Sequence, residues 1–249
     1  AFPDAVARGL VTAGRMVDLG ATSWTIETPT RTVMVDTGAG DALQALYPNA
    51  GQLAERMAES DVAPEPGDVT DIVLTHLHAD HIGGLMEAGR ARYPGAVLHV
   101  QNAEWDFWRD SGLPTRLPKA QAEMATLIAQ LTDALPYDIE RHDGAADLGE
   151  GITLHPAPGH TPGHMIVRLS DGNEQALLMA DTFICAPMQL IHPRITYHLD
   201  TDAQQAVETR LRLLDMLHTD HVAFAATHLK TLALGHLTRE LGGYRFLPV

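Results

Sequence analysis

Thr75-His76-Leu77-His78-Ala79-Asp80-His81-Ile82-Gly83-Gly84 follows directly on the run Asp71-Ile72-Val73-Leu74 and decides how the rest of the chain reads. Four potential metal ligands, His76, His78, Asp80 and His81, fall within six residues. The run before them reads as a buried strand, and a strand that ends in a ligand-dense loop is a rigid base for a metal site. His76 and His78 lie two apart, so in an extended segment both point to one side and can hold one cation; Asp80 and His81 follow as the chain turns. One carboxylate and three imidazoles this close suggest two metals. Gly83 and Gly84 then supply backbone without side chains, which can bend and pack closely. A histidine-rich surface loop is the plainer alternative, and the strict spacing after a buried strand speaks against it.

Composition narrows the partners. The 249 residues suit one large domain with a sizeable core, and nothing in the sequence divides them, so we expect a single domain over residues 1–249. A net charge of −15, from 17 Lys+Arg against 32 Asp+Glu, repels phosphate backbones and argues against nucleic acid as substrate. No apolar run approaches the ~18 residues of a membrane span, so no membrane partner is expected. The single cysteine, Cys185, rules out an internal disulfide. The expectation is a cytoplasmic protein acting on a small molecule, with assembly as a homodimer left open. The chain begins at Ala1 without an initiator methionine, so a removed leader also stays open.

Outward from the motif, Thr22–Ile26 and Arg31–Val35 read as a hairpin that ends in Asp36-Thr37-Gly38, and a short helix is expected around Asp4–Leu10. Gln52–Ser60 has helical periodicity and Ala96–Val100 alternates as a strand. Ala103–Arg109 carries Trp105 and Trp108, which suit either core packing or the wall of a substrate pocket. His99, inside a strand, reads as a structural histidine. Lys119–Leu135 repeats apolar residues at three- and four-residue steps and reads as the longest helix before Pro136. Thr153–Pro156 is a short strand before Ala157-Pro158-Gly159-His160-Thr161-Pro162-Gly163-His164. Ala176–Met179 is a strand that delivers Asp181, a carboxylate that needs compensation if buried. Ala203–His218 reads as a helix with Val207, Leu211, Leu214 and Leu217 on one side, followed by a strand over His221–Ala225 and by His228.

The His-x-His-x-Asp-His segment with its two glycines, together with Pro158–His164, Asp181 and His228, resembles the signature of the metallo-β-lactamase-fold hydrolases. The resemblance runs from about Thr22 to the C terminus. It implies an α+β fold, an αββα sandwich of two mixed sheets flanked by helices, with a first sheet short by a strand or more because fewer than 25 residues precede the first strong strand. It also implies the ligand set: His76, His78 and His160 on one metal, Asp80, His81 and His228 on the other, Asp181 bridging. Asp36, in an Asp-Thr-Gly that the family commonly carries, is implied to support the ligands from behind. His164 is read as a further supporting group rather than a ligand.

The branch of the family follows from details. Class B β-lactamases typically place a cysteine on the second metal and lack the histidine after the motif aspartate; here His81 is present. Flavodiiron proteins usually carry Glu where this chain has Ala79, and the basic glutathione-binding region of glyoxalase II proteins is not found. Ala186–Leu190, Leu199–Asp202, Ala226–Leu229 and Gly243–Val249 look like the methyl parathion hydrolase group, which is similar to the lactone-cleaving members. Acyl-homoserine lactonases often have a tyrosine three residues after the bridging aspartate, where this chain has Ile184.

The resemblance implies a dinuclear hydrolase of a small ester, lactone or phosphotriester, with a hydroxide held between two cations about 3.5–4 Å apart as nucleophile. The ligands suit two Zn²⁺ ions and also accept Mn²⁺, Fe²⁺ or Co²⁺. Asp80 is implied to carry a catalytic proton. Phe183, Ile184, Met188, Leu190 and Trp105 are candidate walls of the substrate pocket. The alternative is a non-hydrolytic di-iron redox or sensor protein on the same fold.

Overall fold

The computed structural model describes residues 1–12, 14, 19–44, 46–133, 135–240 and 242–249; residue 134, within the helix expected over Lys119–Leu135, lies outside the described residues. A short helix, α1 (Pro3–Ala7), opens the chain. Backbone contacts divide the molecule into two units, Ser23–Gly144 and, from both ends of the chain, Ala1–Thr22 with Ala145–Val249.

The unit Ser23–Gly144 is built on a five-stranded mixed sheet. β1 (Trp24–Glu27) and β2 (Thr32–Val35) form the expected hairpin, with Trp24 opposite Val35. After helix α2 (Leu53–Ala58), β3 (Asp71–Val73) pairs parallel with β2. All of β3 is buried, as suits a central parallel strand covered on both faces. The motif loop contains the short helix α3 (Ala79–Ile82), and β4 (Met86–Glu87) and β5 (Arg90–Ala91) make a small separate hairpin. β6 (Val97–Gln101) and β7 (Asp138–His142) then extend the sheet, each parallel to its neighbour.

Strand alternation sends Met34, Ile72, Leu98 and Val100 to one face, where they meet Trp108 of helix α4 (Asn102–Trp108) and Ala125 and Ile128 of helix α5 (Lys119–Thr132) in one core. On the other face His99 has both ring nitrogens engaged. Nε2 donates to the Asp71 carboxylate at 2.9 Å, which leaves Nδ1 as the acceptor 3.0 Å from His142 Nε2. Burial, then the neighbouring His99, holds the His142 pKa below the ordinary imidazole range.

The other unit carries a seven-stranded sheet in the order β14-β13-β12-β11-β10-β9-β8. Its strands are β8 (Ala146–Gly149), β9 (Ile152–Pro156), β10 (Met165–Asp171), β11 (Glu174–Leu178), β12 (Ala223–Ala225), β13 (Gly235–Glu240) and β14 (Gly243–Pro248). β11 and β12 are parallel, so the chain must cross over between them, and it does so through the short α6 (Ala186–Gln189) and the long α7 (Ala203–Thr219). The buried face of α7 is Ala206, Thr209, Arg210, Leu213, Leu214 and Leu217. It is rotated from the predicted stripe: Val207 and Leu211 are only half-buried and Arg210 lies inside. Among the described residues no helix is long and apolar enough to cross a membrane.

Candidate metal centre

In the unit Ser23–Gly144 the candidate ligands leave the end of β3 as the sequence places them. His76 Nε2 and His78 Nδ1 lie 3.0 Å apart, with ring centroids 4.7 Å apart and planes at 81°. His99 and His142 show the same 3.0 Å separation, but with centroids 5.3 Å apart and planes within 12°. Two imidazole nitrogens this close can share one cation as well as one proton. The His81 ring stands 3.9 Å from that of His76.

Asp36 organises this loop from behind. Its carboxylate accepts the Thr75 N–H and hydroxyl, each at 2.8 Å, and the His81 Nδ1 proton, also at 2.8 Å. The proton of His81 is thereby fixed on Nδ1 and the lone pair on Nε2, the arrangement by which an outer carboxylate sets a metal-binding histidine. Asp36 holds φ at 58°, a left-handed conformation that costs a non-glycine residue energy and is kept where the surroundings over-determine it. Thr37 N–H and hydroxyl both bond the His81 carbonyl, at 2.7 and 2.9 Å. Gly83 and Gly84 explain themselves here: a Cβ on either would sit 2.0 Å from a carbonyl oxygen, of Ala39 and Thr37 respectively. Close approach of two backbones, rather than an unusual dihedral, requires the glycines.

Asp80 is the open carboxylate of the loop, its side chain 28% exposed, with Oδ2 3.8 Å from His81 Nε2. Behind the histidines stands a residue the sequence reading missed. Glu104 is fully buried and accepts the Leu77 N–H at 3.0 Å and the Trp108 indole N–H at 2.6 Å, while Trp108 meets His78 edge-on at 5.4 Å. Its signal was a carboxylate four residues before a tryptophan on one helix face. Glu104→Ala strands two buried donors, and at about 1–3 kcal/mol for each we expect a loss of about 2–6 kcal/mol in chemical denaturation, against under about 1 kcal/mol for exposed Asp106→Ala. Trp105 is half-buried against the same core and carries the Arg109 guanidinium 5.2 Å above its ring.

The unit containing β8–β14 gathers the remaining candidates. His160 and His228 present Nε2 to one oxygen of Asp181, at 3.4 and 3.2 Å. Each has its Nδ1 tied to an acceptor, Asp200 Oδ1 at 2.9 Å and the Gly20 carbonyl at 2.6 Å. His164 differs: Nδ1 donates to the Ala157 carbonyl at 2.9 Å, and Nε2 accepts the Asp181 N–H at 3.1 Å. With both nitrogens committed to backbone, it locks the Asp181 corner to the 157–164 loop. The residue before Asp181, Ala180, holds φ at 42°, so this corner is strained as Asp36 is. Asp181 is only 3% exposed.

Arg210 and Asp200 were also missed as site residues. Arg210 donates to the carbonyls of Thr182, Pro193 and Ile195, at 2.7, 2.9 and 3.0 Å, and so clamps the strand end that carries Asp181. Burial lowers its pKa to about 10, and the charge of Asp200 opposes that shift. A basic residue in the apolar stripe of a helix was the available signal. Of the expected pocket walls, Phe183 and Leu190 belong to the core beneath α7, and Ile184 and Met188 to a cluster with Phe2, Ala5 and Ile195. Buried Gln189 holds this stretch by accepting the N–H groups of Ile184 and Cys185, at 2.7 and 3.0 Å.

The donor set fits divalent cations: imidazoles with fixed tautomers and buried carboxylates are the ligands that borderline metals take. Comparison with known proteins agrees. The Metallo-beta-lactamase superfamily pattern matches residues 16–228. A probable metallo-hydrolase of Mycobacterium tuberculosis is 33% identical over 175 residues, 64% of this chain and 55% of that protein. An N-acyl homoserine lactonase of a Bacillus species is 29% identical over 168 residues, 62% of this chain and 60% of that one. The chain thus matches little more than half the length of these curated relatives. Among solved structures, AidC, a dizinc quorum-quenching lactonase seen with its product N-hexanoyl-L-homoserine, superposes with a TM-score of 0.82 at 24% identity, over 94% of this chain and 80% of that one. The fold is the metallo-β-lactamase fold, with two mixed sheets and flanking helices, and the chain belongs to the metallo-beta-lactamase superfamily.

Proposed function

We propose that this chain is a metal-dependent hydrolase of a small lactone, ester or phosphotriester, working as one domain with two divalent ions, zinc first, held by His76, His78, Asp80, His81, His160, Asp181 and His228. One observation carries the reading: His81, His160 and His228 each have Nδ1 tied to a protein acceptor, which leaves Nε2 as the ligand atom. Lactones are placed first because the dizinc AidC and the Bacillus relative are both lactonases.

When bound, the two cations supply Lewis-acid charge to the scissile carbonyl or phosphoryl group and acidify the attacking water. The chain's own residues do the rest. Asp36 and Asp200 orient imidazoles, Asp181 places a desolvated negative charge between two of them, and the exposed Asp80 carboxylate moves the proton between the attacking water and the leaving group.

Metal analysis of protein purified without added metal tests this, run beside turnover of N-hexanoyl-homoserine lactone, dihydrocoumarin, p-nitrophenyl acetate and methyl parathion. We expect about two zinc or manganese ions per chain and turnover of at least one substrate, abolished by a chelator and restored by metal. A chain that takes up no metal on reconstitution would overturn the ligand set. Two irons without hydrolysis would replace the hydrolase with a redox or sensor protein.

A further inference from the structure

We propose that Asp200 is a positioning residue that holds the proton of His160 on Nδ1 and its Nε2 lone pair toward the metal. The assignment rests on the proposed role of His160 as a ligand and adds the residue that makes it one.

The geometry is closed on every side. Asp200 Oδ1 lies 2.9 Å from His160 Nδ1, and Oδ2 accepts the Tyr197 N–H at 2.9 Å, so both oxygens are committed. The Tyr197 ring lies nearly parallel to the imidazole, with centroids 6.1 Å apart and planes at 27°. Thr201 N–H and Asp202 N–H bond the carbonyls of His160 and Gly159, at 2.9 and 3.0 Å, tying the two loops along the backbone. Gly159 permits the approach: at φ 132°, a Cβ there would sit 2.2 Å from the Ala206 nitrogen in the first turn of α7. Phe2 backs Tyr197 from the outside, with ring centroids 5.3 Å apart. A carboxylate in this place, with its side chain 1% exposed, needs a compensating charge. Arg210, bonded to the carbonyls of Thr182, Pro193 and Ile195, is a buried cation whose charge Asp200 feels.

An imidazole can present only one lone pair when neutral, and the hydrogen bond at one nitrogen decides which. With an acceptor-only carboxylate at Nδ1, the lone pair must sit on Nε2. Asparagine has the same shape but reverses this. Its oxygen can keep the Tyr197 N–H while its amide N–H donates to His160 Nδ1, which drives the ring proton to Nε2 and blocks the ligand atom.

The test is Asp200→Asn in the full chain, with Asp202→Asn, which still caps α7, as the control. Ring nitrogen–proton correlation spectra of metal-free protein report the tautomer, with His160 assigned by its loss in His160→Gln. We expect the proton on Nδ1 in the parent and in Asp202→Asn, and on Nε2 in Asp200→Asn. Zinc affinity, measured by chelator competition, should fall about 10- to 100-fold in Asp200→Asn alone. A proton that stays on Nδ1 in Asp200→Asn, or zinc affinity equal to the parent's, would overturn the assignment. If the tautomer moves but neither protein binds zinc, Asp200 is upheld as the group that sets His160 and the metal reading fails.

Discussion

Asp181→Asn is expected to lower kcat/KM by at least about 1,000-fold, equivalent to about 4 kcal/mol of transition-state stabilisation at about 1.4 kcal/mol per tenfold. The side chain keeps its shape and its backbone stays held by His164, so the loss reports the charge alone. The accompanying stability change separates a metal role from a structural one. Without metal, Asp181 is a carboxylate only 3% exposed, and removing its charge should leave melting unchanged or raise it. With zinc at 100 times its dissociation constant, the parent should gain about 2.7 kcal/mol from binding, much of which the variant forgoes. The variant should therefore be the more stable protein without metal and the less stable one with it. Thermal melts with and without zinc measure this. Equal destabilisation in both conditions would make Asp181 a structural carboxylate and remove it from the ligand set.

The sequence carried the parts of this protein that local chemistry determines. His76 to His81 could be placed because a strand end and a fixed ligand spacing are both local, and α5 because its apolar steps match a helix whose Ala125 and Ile128 are buried. β7, Asp138-Ile-Glu-Arg-His, escaped because it is an edge strand whose residues are largely polar; its place comes from pairing with β6, 41 residues earlier. β13 and β14 escaped for a related reason. Gly235–Glu240 alternates weakly, and what makes it a strand is a register with Gly243–Pro248 that only the fold reveals.

The supporting residues were hidden more deeply. Asp36 stood inside a recognisable Asp-Thr-Gly, but Glu104, Asp200 and Arg210 each act on a partner far away in sequence. Glu104 holds Leu77, 27 residues back, and Asp200 holds His160, 40 residues back. The expected pocket walls show how far packing lies beyond a reading along the chain. The apolar residues after Asp181 are buried in core clusters, with Phe183 meeting Phe224 at 6.2 Å and the Ile184 N–H bonded to Gln189, contacts that no local pattern announces.

Asp80→Asn should separate binding from proton transfer. Asp36, Asp200 and Asp80 are carboxylates close to candidate histidine ligands, and the first two are unable to exchange a proton freely. Asp36 accepts three hydrogen bonds while buried, and Asp200 has both oxygens committed. Asp80 alone of these has its side chain 28% exposed, so water can reach it. Asparagine retains a carbonyl oxygen that can still ligate a cation but gives up the basic oxygen, so metal content should stay near the parent's. We expect kcat to fall by about 100- to 10,000-fold, the range that a positioned acid or base contributes. KM should move far less, because the group acts on the proton of the reacting water and leaving group rather than on substrate binding. Substrates with better leaving groups should lose less, since protonating the leaving group then matters less. A series of aryl esters of graded leaving-group pKa, with metal content measured on the same samples, decides the matter. If Asp80→Asn keeps both metals and full turnover across the series, Asp80 is a ligand only, and the proton must travel through another group.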